Sequence, residues 1–201
     1  MSKLQKAYYT RDNVVEIARD LLGKVLCSHI DGRLTKAIIT ETEAYAGIND
    51  RASHAYGGRR TQRTEPMFGE GGIAYVYLCY GIHHLFNVVT GPQNEPHAVL
   101  VRAGSPLEGI DTMLTRRKKS VIDKDFMAGP GSLARALGIR TELSSASLLG
   151  NQVWIEDHDY FIADDAISVG PRIGIDYAGD DAARPYRFVI AADQLEVVAA
   201  K

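Results

Sequence analysis

The spacing of apolar residues predicts one helix and one β-hairpin in the first quarter of the chain. Apolar side chains recur every three or four positions between residues 11 and 22, a pattern typical of a helix with one buried face. Thr10 is the predicted N-cap of this helix. Residues 25–30 and 34–45 form two β-type runs, and Asp31-Gly32 between them favours a tight hairpin turn because it tolerates positive φ angles.

The rest of the chain contains short β-type runs and two further predicted helices. One helix is predicted at residues 107–119 and another at 133–137, with Ser132 as the N-cap of the second. Strands are predicted at residues 73–79, 85–90, 98–103, 153–155, 160–163, 167–170 and 186–191. This order favours an α+β fold. We expect a single mixed domain over residues 1–201, in which helices flank a curved antiparallel β-sheet with a protruding β-hairpin.

Residues 46–72 show neither the helical nor the β-strand spacing of apolar residues. The segment holds six glycines and four arginines, and loops of this length in compact domains are usually functional or disordered.

Charge is unevenly distributed along the chain. Residues 51–63 contain four arginines and no acid, whereas residues 156–201 contain ten acids against four basic residues. Two interpretations remain open: ordinary solvated surface charge, or one positive face that contacts phosphates.

The composition, with 45% hydrophobic and 24% charged residues among 201, is that of a soluble globular protein with an ordinary core. The N-terminal residues lack the apolar stretch of a signal peptide, and no run approaches the roughly 18 apolar residues of a membrane span. Cys27 and Cys79 are the two cysteines, and we expect both to be reduced and buried in a cytosolic protein.

Several common chemistries have no motif in this sequence. The H-E-x-x-H and clustered Cys/His spacings of zinc sites are absent, so we expect no metal. His83 and His84 are adjacent and would point to opposite sides of a strand, which makes them a poor pair of ligands. The phosphate-binding G-x-x-x-x-G-K-[ST] and the serine-nucleophile G-x-S-x-G are also absent.

Acidic side chains are concentrated on a strand that otherwise looks buried. Period-two geometry would place Ile39, Glu41, Glu43 and Tyr45 on one face. Carboxylates in such a position are paired, lie at a sheet edge, or line a cleft. By itself the pattern fits an edge strand with its wet side outward better than it fits a catalytic cleft.

A second run concentrates tyrosines. Tyr75, Tyr77 and Cys79 would share one face of their strand, where ordinary sheet packing is one interpretation. Tyr80 instead stands at a glycine turn, where a large ring meets solvent. Side chains that wedge between DNA base steps have this placement.

Short segments in a fixed order carry a family resemblance. They are Glu41-Thr42-Glu43-Ala44-Tyr45, Ser53-His54, Gly57-Gly58-Arg59-Arg60-Thr61-Gln62-Arg63, Met67-Phe68, Tyr75-Val76-Tyr77-Leu78-Cys79-Tyr80-Gly81, Phe86-Asn87, Val99-Leu100-Val101-Arg102-Ala103, Pro106-Leu107-Glu108-Gly109, Gly129-Pro130-Gly131 and Arg172-Ile173-Gly174-Ile175. Together they resemble the alkyladenine (3-methyladenine) DNA glycosylase family over about residues 12–190. Where that family has a hairpin before Asn87, this chain departs with His83-His84-Leu85.

The resemblance implies a pocket for a base extruded from the duplex. Glu43 would be the general base that activates water. Tyr45 and Tyr77 would stack on the two faces of the base, and His54 would contact its edge. Asn87 would exclude the exocyclic amino group of normal guanine.

The resemblance also implies a supporting and DNA-contacting set. Tyr80 would fill the gap left in the duplex, and Tyr75 would support the pocket. Arg102 would help to place the water and a neighbouring phosphate. Contacts to the DNA backbone are expected from Arg59, Arg60 and Arg63.

The activity implied is that of a DNA glycosylase without cofactor or metal. We expect it to be monofunctional, because no lysine stands in the matching motif as an amine nucleophile. Its partner would be double-stranded DNA containing damaged purines, and we expect a monomer that is cytoplasmic, or nuclear in a eukaryote. A non-catalytic nucleic-acid-binding module and a hydrolase of free nucleosides are the two alternatives. The hypothesis requires Glu43 to lie against a ring-lined cavity and not to be consumed by a buried ion pair.

Overall fold

The computed structural model describes residues 1–190 and the backbone of residues 196–197. The strands are β1 (Ser2–Lys3), β2 (Val25–Ile30), β3 (Arg33–Ala46), β4 (Ala74–Cys79), β5 (His83–Thr90), β6 (His97–Glu108), β7 (Val153–Asp157), β8 (Tyr160–Phe161), β9 (Ile167–Gly170), β10 (Arg187–Ile190) and β11 (Glu196–Val197). The α-helices are α1 (Lys6–Tyr9), α2 (Val14–Asp20), α3 (Ile110–Arg117) and α4 (Pro130–Leu137).

Nine of these strands form one antiparallel sheet. The order is β1-β7-β2-β3-β6-β5-β4, with β10 paired to β3 and β9 paired to β10. β8 and β11 form a separate two-stranded sheet. The predicted α+β class with an antiparallel sheet is confirmed. No helix in the described part of the chain is long and apolar enough to cross a membrane.

The long strand β3 organises the sheet because three strands pair with it. One edge pairs with β2 and then β10, and the other edge pairs with β6. The register with β6 shifts on both sides of Glu41, so that Thr40 and Arg102 lie opposite no residue. Such bulges bend a strand and redirect its side chains.

The bulge at Thr40 changes which residues share a face. Ile39 packs in the main core, on the side of the sheet that holds α2. Glu41 and Glu43 instead both contact Arg102 on the other side. The prediction that Ile39 shares a face with Glu43 is therefore wrong, whereas the shared face of Glu41 and Glu43 agrees with it.

The helices begin at other residues than the sequence pattern predicts. Asn13, not Thr10, caps α2, because its side-chain oxygen accepts from the backbone N–H groups of Val15 and Glu16. Gly129, not Ser132, is the N-cap residue of α4, which begins at Pro130. The predicted helix over 107–119 is shortened at its start because β6 continues through Glu108.

Several strand boundaries also differ. β5 begins at His83 rather than at residue 85, and β8 ends at Phe161 rather than at residue 163. β10 runs only to Ile190, and the predicted end at Ala191 lies outside the described residues. The segment 46–72 contains three short 3₁₀ helices, at Gly47–Asn49, Tyr56–Gly58 and Glu65–Phe68.

The two faces of the sheet carry different hydrophobic clusters. The larger cluster lies between the sheet and the helices α2, α3 and α4. A smaller one, which includes Met67, Phe68 and Tyr75, lies under the segment 46–72. Cys27 is buried as predicted, but Cys79 is partly exposed, which corrects the expectation of two buried thiols. The smaller cluster forms the floor of the candidate site.

Candidate active site

A cavity of about 190 Å³ opens on the sheet face opposite α2. Its wall is mainly aromatic and aliphatic, and its residues come from β3, β4, β5 and β6, from the segment 46–72, from the β4–β5 turn and from the loop after β9. The lining residues are Tyr45, Ala52, His54, Met67, Tyr75, Tyr77, Cys79, Tyr80, Leu85, Asn87, Ala98, Leu100, Arg102, Ile173, Gly174 and Ile175. Pockets for drug-sized ligands are usually larger, roughly 300–1,000 Å³, so this cavity suits a small planar ligand.

Glu43 lies directly behind the cavity wall, with no exposed surface. One carboxylate oxygen, Oε1, accepts a hydrogen bond from the backbone N–H of Ile173 at 2.8 Å. The other, Oε2, accepts from the hydroxyl of Tyr45 at 2.8 Å. Both donors belong to residues that line the cavity, so the carboxylate touches the cavity only through its partners.

Arg102 links Glu43 to a second acid. Its Nε donates to Glu41 at 3.0 Å, while its Nη1 lies 3.4 Å from Oε2 of Glu43. Glu41 also accepts from Nε of Arg187 at 2.6 Å. Glu43 is thus in a buried ion pair, but at the long end of hydrogen-bonding distance, because Arg102 is engaged mainly by Glu41.

Tyr45 is held from behind by a buried arginine. The guanidinium of Arg172 lies 4.9 Å from the centre of the Tyr45 ring and forms two hydrogen bonds with Asp50. Burial alone would raise the pKa of Asp50, but the hydrogen bonds from Arg172 and from the backbone N–H groups of Ala46 and Ala52 lower it overall. This pair ties the start of the segment 46–72 to β3 behind the cavity.

His54 packs against the tyrosines of β4. Its Nδ1 lies 2.9 Å from the hydroxyl of Tyr75, and its ring meets Tyr77 edge-on with the centroids 4.7 Å apart. Burial, with the positive charges of Arg63 and Arg59, lowers the pKa of His54 to about 4. The imidazole is therefore neutral at pH 7.

Asn87 faces the cavity from β5. Its side-chain amide nitrogen donates to the backbone carbonyls of Tyr75, at 3.0 Å, and Leu85, at 3.4 Å. The side-chain oxygen is the polar atom left to face the cavity. Tyr75, Tyr77 and Cys79 all line the cavity, in agreement with their predicted shared face.

Tyr80 forms the tip of the β4–β5 hairpin. Its side chain is 92% exposed, and the neighbouring Ile82 is 70% exposed. Tyr80 and Gly81 both have positive φ, and the N–H of Ile82 donates to the carbonyl of Cys79 at 3.1 Å. Positive φ is uncommon for a bulky residue, and such strain clusters at functional sites.

A family model described as Methylpurine-DNA glycosylase (MPG) matches residues 7–194, nearly the whole chain. The chain belongs to this family. A Chlamydia abortus protein with the provisional name 3-methyladenine DNA glycosylase is 46% identical over 188 residues, covering 93% of this chain and 97% of its own. A relative from Desulfitobacterium hafniense with the same provisional name is 41% identical over 203 residues, covering 96% and 98%.

A further relative from Bacillus cereus, with the same provisional name, is 45% identical over 190 residues, covering 90% of this chain and 92% of its own. DNA glycosylases of this family hydrolyse the N-glycosidic bonds of damaged bases. The chain is therefore a DNA-repair hydrolase whose substrate is DNA. The resemblance inferred from the ordered sequence segments is confirmed.

The arginines of the segment 51–63 occupy different places in this glycosylase. Arg59 and Arg63 line a second cavity, of about 280 Å³, which adjoins the first at His54. Arg63 also lies 4.9 Å from the centre of the Tyr77 ring. Arg60 is instead paired with Glu65 through two hydrogen bonds. Of the three arginines predicted to contact the DNA backbone, Arg60 is the one whose charge is already paired with an acid.

Sequence reasoning assigned no role to four residues that build the site of this glycosylase. Ile173 supplies the N–H that holds Glu43, and Arg172 and Asp50 buttress Tyr45. Glu41 holds Arg102. The run Arg172-Ile173-Gly174-Ile175 was a signal in the resemblance, but a backbone N–H contact has no side-chain signature. Among the described residues, no group of three or more His, Cys, Asp or Glu side chains could hold a metal.

Proposed function

We propose that this glycosylase removes alkylated and deaminated purines from duplex DNA, with 3-methyladenine, 7-methylguanine and hypoxanthine as substrates and Glu43 activating the attacking water. One observation carries the proposal. A carboxylate without exposed surface lies behind an aromatic cavity, fixed by Ile173 and Tyr45 and flanked by Arg102. A carboxylate offers about four acceptor sites, and these three contacts leave one of them for a water molecule.

The shape of the cavity supports base flipping. A target base inside a duplex cannot reach such a recess, so it must be extruded at a cost of a few kcal/mol. Stacking on an aromatic side chain contributes about 1–3 kcal/mol per base, and Tyr45 and Tyr77 both line the cavity. Tyr80 stands at the rim, where its exposed ring can take the place of the extruded base.

The chemical step follows the logic of glycoside hydrolysis. The water oxygen forms a bond to C1′ of the deoxyribose, and the C1′–N bond breaks with its electron pair leaving on the purine. Glu43 accepts the proton from the water. Its negative charge also lies near the positive charge that develops on the sugar, which lowers the barrier further.

The lining of the cavity favours leaving groups that need no proton. N-alkylated purines are already cationic and leave as neutral bases. Among the described residues that line the cavity there is no carboxylic acid, and the low pKa of His54 keeps its imidazole neutral. Hypoxanthine lacks the positive charge of an alkylated purine, so we expect its release to be slower than that of 3-methyladenine.

The nucleophile we propose is water rather than an amine. No lysine is among the described residues that line the cavity, so no Schiff base with the sugar is expected there. The product is an abasic site with an intact strand. Denaturing gels of DNA that has not been treated with piperidine measure this directly, because only strand cleavage by the enzyme then gives shorter fragments.

Substitution Glu43→Gln tests the proposal. It keeps the size of the side chain but removes the base, so we expect single-turnover release of 3-methyladenine to fall by at least about 10²-fold. Binding to a duplex with an abasic-site analogue should remain within a few-fold of wild type. Glu108→Gln, at the exposed end of β6, is the matched control and should retain full activity. Retained base release by the Glu43→Gln protein excludes Glu43 from the chemical step.

The two alternative functions are separable with the same protein. A binding module would hold a lesion duplex without releasing base in a single-turnover assay. A nucleoside hydrolase would cleave free inosine as fast as inosine in duplex DNA, and the exposed Tyr80 would then have no partner. We expect release from the duplex alone.

A further inference from the structure

A second group of arginines lies on the other side of the β4–β5 hairpin. Arg116, Arg117, Arg135 and Arg140 line a cavity of about 500 Å³ together with His83 and His84. We call these six residues the basic cleft. Asp31 is the one acid among the described residues that line it. The sequence predicted helices here, and none of these side chains was among the individual DNA contacts that the resemblance implied.

Three of the four arginines of the basic cleft, Arg116, Arg117 and Arg135, are held by carbonyl groups rather than by acids. Arg116 donates to the carbonyls of Ile30 and Ala136, and Arg117 donates to that of Phe126. In the described part of the chain, none of the four arginines of the cleft has a carboxylate oxygen within 4.0 Å. These charges are therefore oriented without being neutralised.

Neighbouring positive charges in the cleft oppose one another. Burial lowers the pKa of Arg116; the charge of Asp31 opposes this shift, and the smaller effects of Arg140 and Arg33 add to it. Burial and then the charge of Arg135 lower the pKa of Arg117, against a smaller opposing effect of Asp123. Each shift means that the protonated guanidinium is less stable than in water, so an anion in the cleft would relieve the repulsion.

The basic cleft and the base cavity lie on opposite sides of the hairpin. Leu85 and Asn87 point into the base cavity, while α4 packs against the other face of β5. His84 lies on that side, where its Nδ1 accepts from the backbone N–H of Thr141 at 3.2 Å. The basic cleft reaches the hairpin tip at Ile82, and the base cavity reaches it at Tyr80.

This arrangement suits a duplex that straddles the tip. The extruded nucleotide and its own strand would lie on the side of the base cavity, where Arg59 and Arg63 line the adjoining cavity. The second strand runs on the other side of the wedge. We propose that the basic cleft binds phosphates of the DNA strand opposite the damaged base. The proposal rests on the proposed function, because it takes Tyr80 as the wedge between the strands.

The salt dependence of DNA binding tests the cleft. Arg140 is exposed. Arg19, which lies on α2 and is paired with Asp164, is the matched control, because its replacement also removes one positive charge. Loss of one phosphate contact should reduce the slope of log K against log salt by about one. We expect this for Arg140→Gln, together with a roughly 3- to 10-fold weaker affinity at 0.1 M salt. Equal slopes for Arg140→Gln and Arg19→Gln overturn the proposal.

Neutral backbone linkages identify the strand. The probe is a duplex with an abasic-site analogue and methylphosphonate linkages placed in either one strand or the other. If the cleft binds the opposite strand, neutral linkages there should weaken wild type more than Arg140→Gln. Neutral linkages in the damaged strand should weaken both proteins equally. Coupling to the damaged strand, or to neither strand, overturns the proposal.

The cleft does not touch the reacting atoms, which separates its failure from failure of the proposed function. Base release by wild type tests the proposed function, whereas the difference in salt slope between Arg140→Gln and Arg19→Gln tests the cleft. If wild type itself releases no base, the proposed function fails, while the salt slopes still report whether the cleft binds phosphate.

Discussion

The hydroxyl of Tyr45 and the carboxylate of Glu43 share a hydrogen bond of 2.8 Å at the wall of the base cavity. Burial, followed by the charge of Glu43, raises the pKa of Tyr45 well above its ordinary value. The hydroxyl therefore stays protonated and donates a hydrogen bond to the carboxylate. A donated hydrogen bond stabilises a carboxylate by about 1–3 kcal/mol. At the scale of single residues, Tyr45 therefore affects both the binding of a nucleobase, through its ring, and the carboxylate of Glu43, through its hydroxyl.

Substitution Tyr45→Phe separates these two effects. The ring remains, so binding of a lesion duplex should stay within about twofold of wild type. Without the hydroxyl, Oε2 of Glu43 loses the donor that fixes it, so the single-turnover rate of 3-methyladenine release should fall about tenfold. Single-turnover assays at saturating enzyme measure this rate. Tyr45→Leu, which removes the ring, should instead weaken binding about tenfold. An unchanged rate in Tyr45→Phe contradicts a role of the hydroxyl in fixing Glu43.

Substitution Glu41→Gln should also slow base release. Glu41 holds Arg102 at 3.0 Å, and without this charge Arg102 is left to pair with Glu43. A closer ion pair occupies the acceptor site that the water needs, so the single-turnover rate should fall about tenfold. Glu41→Asp keeps the charge and is the control. Equal rates for the two variants would show that Glu41 has only a structural role.

The sequence predicted the chemistry of individual residues better than their orientation. Tyr75, Tyr77 and Cys79 share a face because β4 is regular, and period two is then reliable. Ile39 was misplaced because a bulge intervenes at Thr40, and nothing in the local sequence marks it. The partners of Glu43 were also missed, since Ile173 lies 130 positions away in the chain.

At the scale of elements, the β4–β5 hairpin presents an exposed ring on a strained turn. Tyr80 has a φ of 50°, followed by Gly81 at 73°. Paired positive φ angles are typical of the tight turns that match the twist of a hairpin. The turn fixes the backbone at Tyr80 before DNA binds, so the ring is already carried at the tip of the hairpin.

Substitution Tyr80→Ala should weaken capture of the extruded base more than it changes bond cleavage. Loss of a stacking ring of this kind costs about 1–3 kcal/mol, or roughly 5- to 150-fold in the flipping equilibrium. Stopped-flow fluorescence of 2-aminopurine next to the lesion measures flipping, and quench-flow measures base release. Ile82→Ala, at the same tip, is the matched control. Unchanged flipping with a slower chemical step would exclude the wedge.

Elements were predictable in type but less so at their ends. The helix pattern of residues 14–20 is strong, yet Thr10 and Asn13 are both good caps, and the short helix α1 before them decides in favour of Asn13. β6 extends to Glu108 because it pairs with β3 over its whole length. Tertiary pairing of this kind has no local signal.

At the scale of the whole molecule, acid should destabilise the fold. The folded state lowers the pKa of His54 from 6.5 to about 4 and that of Glu156 to about 2. For Glu156, burial opposes the shift, and hydrogen bonds from His158, Trp154 and Lys36 outweigh it. The unfolded chain binds both protons at higher pH, so the free energy of unfolding decreases as the pH falls.

The two groups act in different pH ranges. His54 should contribute up to about 3 kcal/mol, lost between pH 6.5 and 4, whereas Glu156 acts below about pH 4.5. Denaturant unfolding followed by circular dichroism measures the free energy across pH 4–7. In His54→Gln the decline above pH 4 should be shallower than in wild type. Parallel curves for the two proteins contradict the low pKa of His54.

The uneven charge of the sequence also acquires a meaning at this scale. Arginines lie beside the base cavity and, separately, in the basic cleft on the far side of the hairpin. A net charge of −2 therefore coexists with two local cationic surfaces. Sequence clusters could indicate the charge, but only the fold places the hairpin between them.

Tyr45 both faces the base cavity and donates to Glu43, so under the proposed function the binding of a base and its removal are separate events. A base stacked on the ring would leave the hydroxyl bonded to Oε2 of Glu43 at 2.8 Å. An undamaged purine whose sugar does not come within reach of the remaining acceptor site of Glu43 would then return to the helix uncut. Discrimination after capture would let the enzyme tolerate frequent sampling of normal DNA, since residence in the recess would not commit a nucleotide to excision.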